Sequence, residues 1–223
     1  MTARVTGYCG IVSFVLIVAA AAIARPLWDS PSSTASAASV AAYTHAARGR
    51  TLASLFIYGL ALGLFLCFAA GLWAWFREVE PEPQLLSAVF AFGAVALAVL
   101  ILAAFAIGGV LTYREQAPAI AQSLRDLTFG LLALSGIPTA VCLGAYAELV
   151  LRRRCLPAWT AWLAALGVAA HVFIAASFLS HGQLLSVEGS VIWLVPGTFF
   201  AWILATSLAL LGTRVPAPRA STP

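Results

Sequence analysis

Few side chains in this 223-residue chain could do chemistry, and the first is a histidine. His171 is the one titratable group deep inside the apolar stretch Leu156–Ser180. It lies twelve residues past Trp159, roughly 18 Å of helix at the usual rise, which puts it near the middle of a bilayer. An ionisable group at that depth is costly and points by default to ligand contact or proton chemistry. Its neighbours at helical spacing are small, namely Ala164, Gly167 and Ala175. That setting favours a neutral imidazole hydrogen-bonded to a neighbouring helix.

Pro138 lacks a backbone donor inside another apolar run and should kink it. Cys142 follows one turn later, and Cys67 sits at the matching depth of an earlier run, two small apolar residues rather than a redox pair without a CxxC spacing. Glu148 precedes Arg152 by four residues, the favourable order for a helical ion pair. That spacing makes it an interfacial pair rather than a gate or proton relay. Asp126 beside Arg125 looks like an N-terminal cap and anchor. His171, Pro138, Cys142 and Glu148 are therefore the binding residues the sequence offers. A metal or haem needs converging ligands. His45 and His181 fall in loops, His181 with only Glu188 nearby, so no metal and no cofactor is expected. Cys9, Cys67, Cys142 and Cys155 avoid the external loops, which excludes a disulfide framework; Cys155, beside the arginines, is open to acylation. There is no lysine, hence no P-loop, and no HExxH or GxSxG. No catalytic residue emerges.

The elements that position these residues are membrane spans. Hydrophobic residues make up 62% of the chain and charged ones 9%, where a soluble domain carries about a quarter charged residues. A span needs about twenty mostly apolar residues. Runs over about 5–24, 52–76, 85–111, 127–151, 156–180 and 189–213 satisfy this, with 214–223 as a disordered tail. The fold class expected is all-α, a polytopic bundle of six spans forming a single domain over 1–223. The count falls to five if the first run, which ends in Ala22-Ile23-Ala24, is a cleaved signal. The net charge of +4 comes from arginines at the ends of apolar runs, where snorkelling and topology explain them. Nucleic acid is excluded as a partner, and the lipid bilayer is the environment.

Seven arginines lie on the side of the N-terminal tail and five on the other, and the densest cluster, Arg152–Arg154, occupies the shortest loop. The positive-inside rule then places both termini in the cytoplasm, in a bacterial inner membrane. The loop from Asp29 to Ala47 predicts a short external helix from Thr34, with Val40, Tyr43 and Ala47 on one side. Ile120, Leu124 and Leu127 predict an interfacial segment before the fourth span. Small-residue ridges predict the packing: Gly59, Gly63, Cys67 and Gly71; Gly136, Ala140 and Gly144; Ala164, Gly167, His171 and Ala175. The tryptophans are expected as interfacial belts.

The run LSGIPTAVCLGAYAELVLRRRCLPAWTAWLAALGV resembles bacterial six-span proteins of the domain-of-unknown-function 4386 type. The kinked helix, the basic turn, the step Leu156, Pro157, Trp159 and the continuation Trp162, Leu163, Leu166, Gly167 carry the likeness. It covers the last hundred or so residues, and the first half only by span layout. It implies a six-helix membrane fold and no particular activity. The function expected is that of a non-catalytic membrane protein acting through a membrane partner or lipid. The alternative is a small permease or lipophile-binding protein, with a pocket between the second, fourth and fifth spans near His171.

Overall fold

The computed structural model describes residues 2–25, 31, 35–176 and 191–212. Its helices are α1 (Ala3–Ala24), α2 (Ala37–Ala46), α3 (Arg48–Val79), α4 (Leu85–Tyr113), α5 (Pro118–Leu134), α6 (Gly136–Arg153), α7 (Ala158–Ala175) and α8 (Val191–Gly212). No strand occurs among the described residues. Six stretches are long and apolar enough to cross a membrane, with α5 and α6 together forming the fourth. The fold is an all-α bundle with the architecture of a multi-pass membrane protein.

The fourth span starts earlier than the sequence pattern suggested and is interrupted for a single residue, Ser135, that keeps right-handed helical backbone angles. α5 opens at Pro118, whose fixed φ suits a first helical position. Asp126 is therefore mid-helix and exposed, not a cap. The interruption falls at Ser135. Pro138 has no N–H to donate to the Leu134 carbonyl, and its ring crowds that same carbonyl, so the chain turns out one residue later. The loosened groups find local partners: the Ser135 hydroxyl donates to Leu132 O at 2.6 Å and the Thr139 hydroxyl to Ser135 O at 2.7 Å.

Lipid supplies no hydrophobic drive between helices, so close backbone approach and internal hydrogen bonds hold the bundle. α1 lies along α3 and α8. Ser13 of α1 donates to Ala61 O, and Ser54 of α3 donates back to Ala20 O, both at 2.8 Å. Gly10 faces Phe68 and Ser207, and Gly71 faces Thr6; a Cβ on either glycine would collide. α6 lies between α4 and α7. Gly93 of α4 receives Cys142, Gly136 abuts the His171 carbonyl, and Gly167 receives Leu143.

The second and third small-residue ridges thus pack as anticipated, and the first does so only at Gly71. Gly59 and Gly63 have open space where a Cβ would stand, and Cys67 is exposed. That face of α3 looks out of the bundle because its other side is taken by Phe65, Phe68, Leu72 and Phe76, all buried. The short helix predicted from Thr34 begins instead at Ala37, capped by the Ser36 hydroxyl; Thr34 lies outside the described residues. Val40 and Ala47 are buried as expected, and α2 rests on α5.

Candidate functional site

α6 and α7 carry all four residues that the sequence nominated, and their geometry separates them. His171 is 7% exposed. Its Nδ1–H donates to the Gly167 carbonyl at 2.8 Å, one turn back on its own helix rather than across to a neighbour. Since a carbonyl only accepts, this bond fixes the proton on Nδ1 of the neutral ring and leaves Nε2 as an acceptor. The Phe199 ring stands edge-on to the imidazole, centroids 5.9 Å apart at 70°. Pro138 is in the first turn of α6, beside the Gly136 contact with His171. These two belong to one neighbourhood. Cys142 is fully buried on another face of α6, pressed on Gly93 of α4 and removed from Cys67, which faces outward on α3. Glu148 is further along, paired with Arg152 as its spacing implied.

A polar and aromatic cluster that no motif announced sits between the midplane and the arginine turn. The Tyr146 hydroxyl donates a 2.8 Å hydrogen bond to Thr160 Oγ1 and lies 3.0 Å from the Thr206 hydroxyl, joining α6, α7 and α8. Trp202 packs edge-on against Tyr146 with centroids 5.0 Å apart. Its indole N–H is buried toward that hydroxyl outside hydrogen-bond geometry. Phe76 and Phe90 close the other side of Tyr146, and Phe199 stacks on Trp202. A continuous aromatic ladder therefore runs from Phe90 through Tyr146 and Trp202 to His171. Among the described tryptophans, Trp202 is fully buried against the expected interfacial belt and Trp75 packs partly on the core, while Trp73, Trp159 and Trp162 are exposed as a belt requires. The signal available in sequence was three isolated hydroxyl residues, Tyr146, Thr160 and Thr206, each within a few turns of the same bundle end.

Clefts open at both ends. At the arginine-turn end a cleft of about 330 Å³ is lined by Glu80, Glu82, Leu149, Arg152 and Arg153, among others. Glu80 accepts from the backbone N–H groups of Leu86 and Ser87 at 2.9 and 2.8 Å, capping α4. Partial burial pushes its carboxyl up, but these amides, the Ser87 hydroxyl and Arg153 outweigh that and hold it below the usual carboxylate range. Burial pushes the Cys155 thiol up, which disfavours the thiolate that acylation or oxidation needs. At the α2 end a cleft of about 270 Å³ is lined by Thr44, His45, Arg48, Arg114, Glu115 and Gln116, among others.

Among the described residues, no group of three or more His, Cys, Asp or Glu side chains is gathered closely enough to hold a metal. The fold and these sites define a multi-pass helical membrane protein with an internally hydrogen-bonded middle and clefts carrying charged side chains at its ends. No protein-family model, curated protein or solved structure matches the chain.

Proposed function

We propose that the chain is a non-catalytic component of a bacterial inner membrane, with both termini in the cytoplasm, that acts through contact with another membrane protein or with lipid. One observation supports this most. The polar side chains of the spans direct their hydrogen bonds inward, to one another or to carbonyls of the bundle: Ser13, Ser54, Tyr146, Thr160, Thr206 and His171. Groups committed to internal bonds are withdrawn from ligands, and those that cross between helices hold the bundle together; what remains to meet another molecule is the outer surface and the end clefts.

The test is affinity capture of the full chain from membranes in a mild detergent, with native mass spectrometry of the captured material. A reproducible protein partner or a retained lipid is expected. A chain that comes out bare, or that turns over or transports a small molecule, would sink the proposal. The alternative of a lipophile-binding bundle draws on the buried imidazole of His171, whose Nε2 is an acceptor. It predicts a bound small molecule that His171→Ala loses. The proposed resemblance to the domain-of-unknown-function 4386 type draws on the Leu156-to-Gly167 step, where Pro157 is the residue capping α7 and Gly167 receives Leu143. Reporter fusions after residue 46 and after Arg154 would test the orientation, the first reporting outside and the second inside.

A further inference from the structure

The cleft at the α2 end lies between α2, the last turn of α4 and the start of α5. We propose that it holds the phosphate of an anionic phospholipid headgroup, an assignment that rests on the lipid branch of the function above. Depth is the first argument. Arg48 is the first residue of α3 and Arg114 immediately follows α4, so the cleft begins where two apolar spans end. That is the level of the headgroup phosphates.

Charge is the second argument. Arg48 and Arg114 keep their charge at any physiological pH and offer planar forks of N–H donors suited to phosphate oxygens. The carboxylate in the wall, Glu115, lies 3.4 Å from His45 Nδ1. Even with His45 neutral, the two arginines leave the cleft one positive charge in excess. Placement is the third argument. The Arg48 guanidinium is carried 5.7 Å over the ring of Tyr113, a cation–π contact that orients it while the ring remains in the interface. Arg48 and Arg114 are exposed, so their donors face the headgroup layer. Under the orientation proposed above, these arginines are on the side for which the positive-inside rule gives no reason. A lipid phosphate supplies one.

The experiment places the full chain in nanodiscs of phosphatidylcholine with and without phosphatidylglycerol, then extracts it for native mass spectrometry. Wild-type protein is expected to retain phosphatidylglycerol over phosphatidylcholine. R48A/R114A should weaken that retention about thirtyfold, the loss of two arginines' attraction to an anionic surface. R4A, on α1 and outside both clefts, should leave it unchanged, and R48K/R114K should restore much of it. If the double alanine variant fails to fold, the lysine pair and the salt dependence of wild-type retention still decide: retention must fall as ionic strength rises. Equal phosphatidylglycerol retention by wild type and a folded R48A/R114A would overturn the proposal. So would retention of inorganic phosphate in place of phosphatidylglycerol when both are offered, which would assign the cleft to a free anion. A captured protein partner without lipid would overturn the cleft assignment and leave the proposed function standing.

Discussion

Gly136→Ala tests the packing most directly. A Cβ built at Gly136 would stand 2.4 Å from the backbone oxygen of His171 and 2.8 Å from a methyl of Ile174. Ordinary van der Waals contact is about 3.5 Å or more, so the new methyl is about 1 Å too close to a backbone atom that no rotamer change can move. α6 and α7 must separate at that level. The separation would loosen Leu143 from Gly167, further along the same seam. Overpacking of this kind costs about 1–3 kcal/mol, against which alanine's better helix propensity returns about 1 kcal/mol or less. The control is Gly63→Ala, where a Cβ would meet nothing within 4 Å; it should be neutral or slightly stabilising. Thermal unfolding of both variants in one detergent, followed by tryptophan fluorescence, is the assay. A Gly136→Ala variant as stable as Gly63→Ala would refute the α6–α7 seam described here.

Other outcomes follow from the same geometry. Tyr146→Phe removes the hydroxyl shared by Thr160 and Thr206 and should destabilise the bundle by about 1–2 kcal/mol at interhelical hydrogen-bond strengths; an unchanged unfolding midpoint would count against the three-helix junction. Thr6 facing Gly71 and Gly10 facing Phe68 set the register of α1 on α3, which brings Cys9 level with Cys67. Mild oxidation in membranes should therefore link Cys9 to Cys67 within one chain and leave Cys142 reduced, read as a mass change after alkylation. Glu80 has a folded-state pKa below its unfolded value, so its carboxylate contributes stability above that unfolded value, about 4.3. The contribution is lost as pH falls through the lower folded value. Glu80→Gln should thus cost about 0.5–1 kcal/mol at neutral pH, as a partly exposed helix cap. Its stability should converge with wild type in acid, and a gap that persists at low pH would disprove the capping role.

The membrane class and the number of apolar spans were legible because they depend on length and apolarity, which each stretch states by itself. The Pro138 interruption was legible because proline's missing donor acts locally, although its place, a single-residue interruption at Ser135, depended on the serine and threonine hydroxyls that bond within that turn. Helix rotation was hidden. α3 carries apolar residues on every side, so no periodicity says whether Gly59 and Gly63 or Phe65 and Phe68 face inward. The bulky aromatics took the interior, and the glycines were left outside. Trp202 was hidden for the same reason, since an apolar helix can bury a tryptophan as readily as float it at the interface. The Tyr146 cluster needed three helices from distant parts of the chain, and no single stretch holds the information that they meet.

The placement of α1 bears on how the molecule is made. α1 is synthesised before α3 and α8, yet it is flanked by both, and α8 is the last helix among the described residues. Gly7 and Gly10 abut Ser207 of α8 so closely that a methyl on either would strike it. Until α8 is inserted, that notch is open to lipid or to any helix small-faced enough to enter it. Assembly therefore has a waiting period, in which α1 is pinned to α3 by Ser13 and Ser54 while its other flank stays unsealed. A chain truncated before Val191 should insert yet be recognised by quality-control proteases, whereas a co-expressed α8 segment should enter the notch and prolong its lifetime.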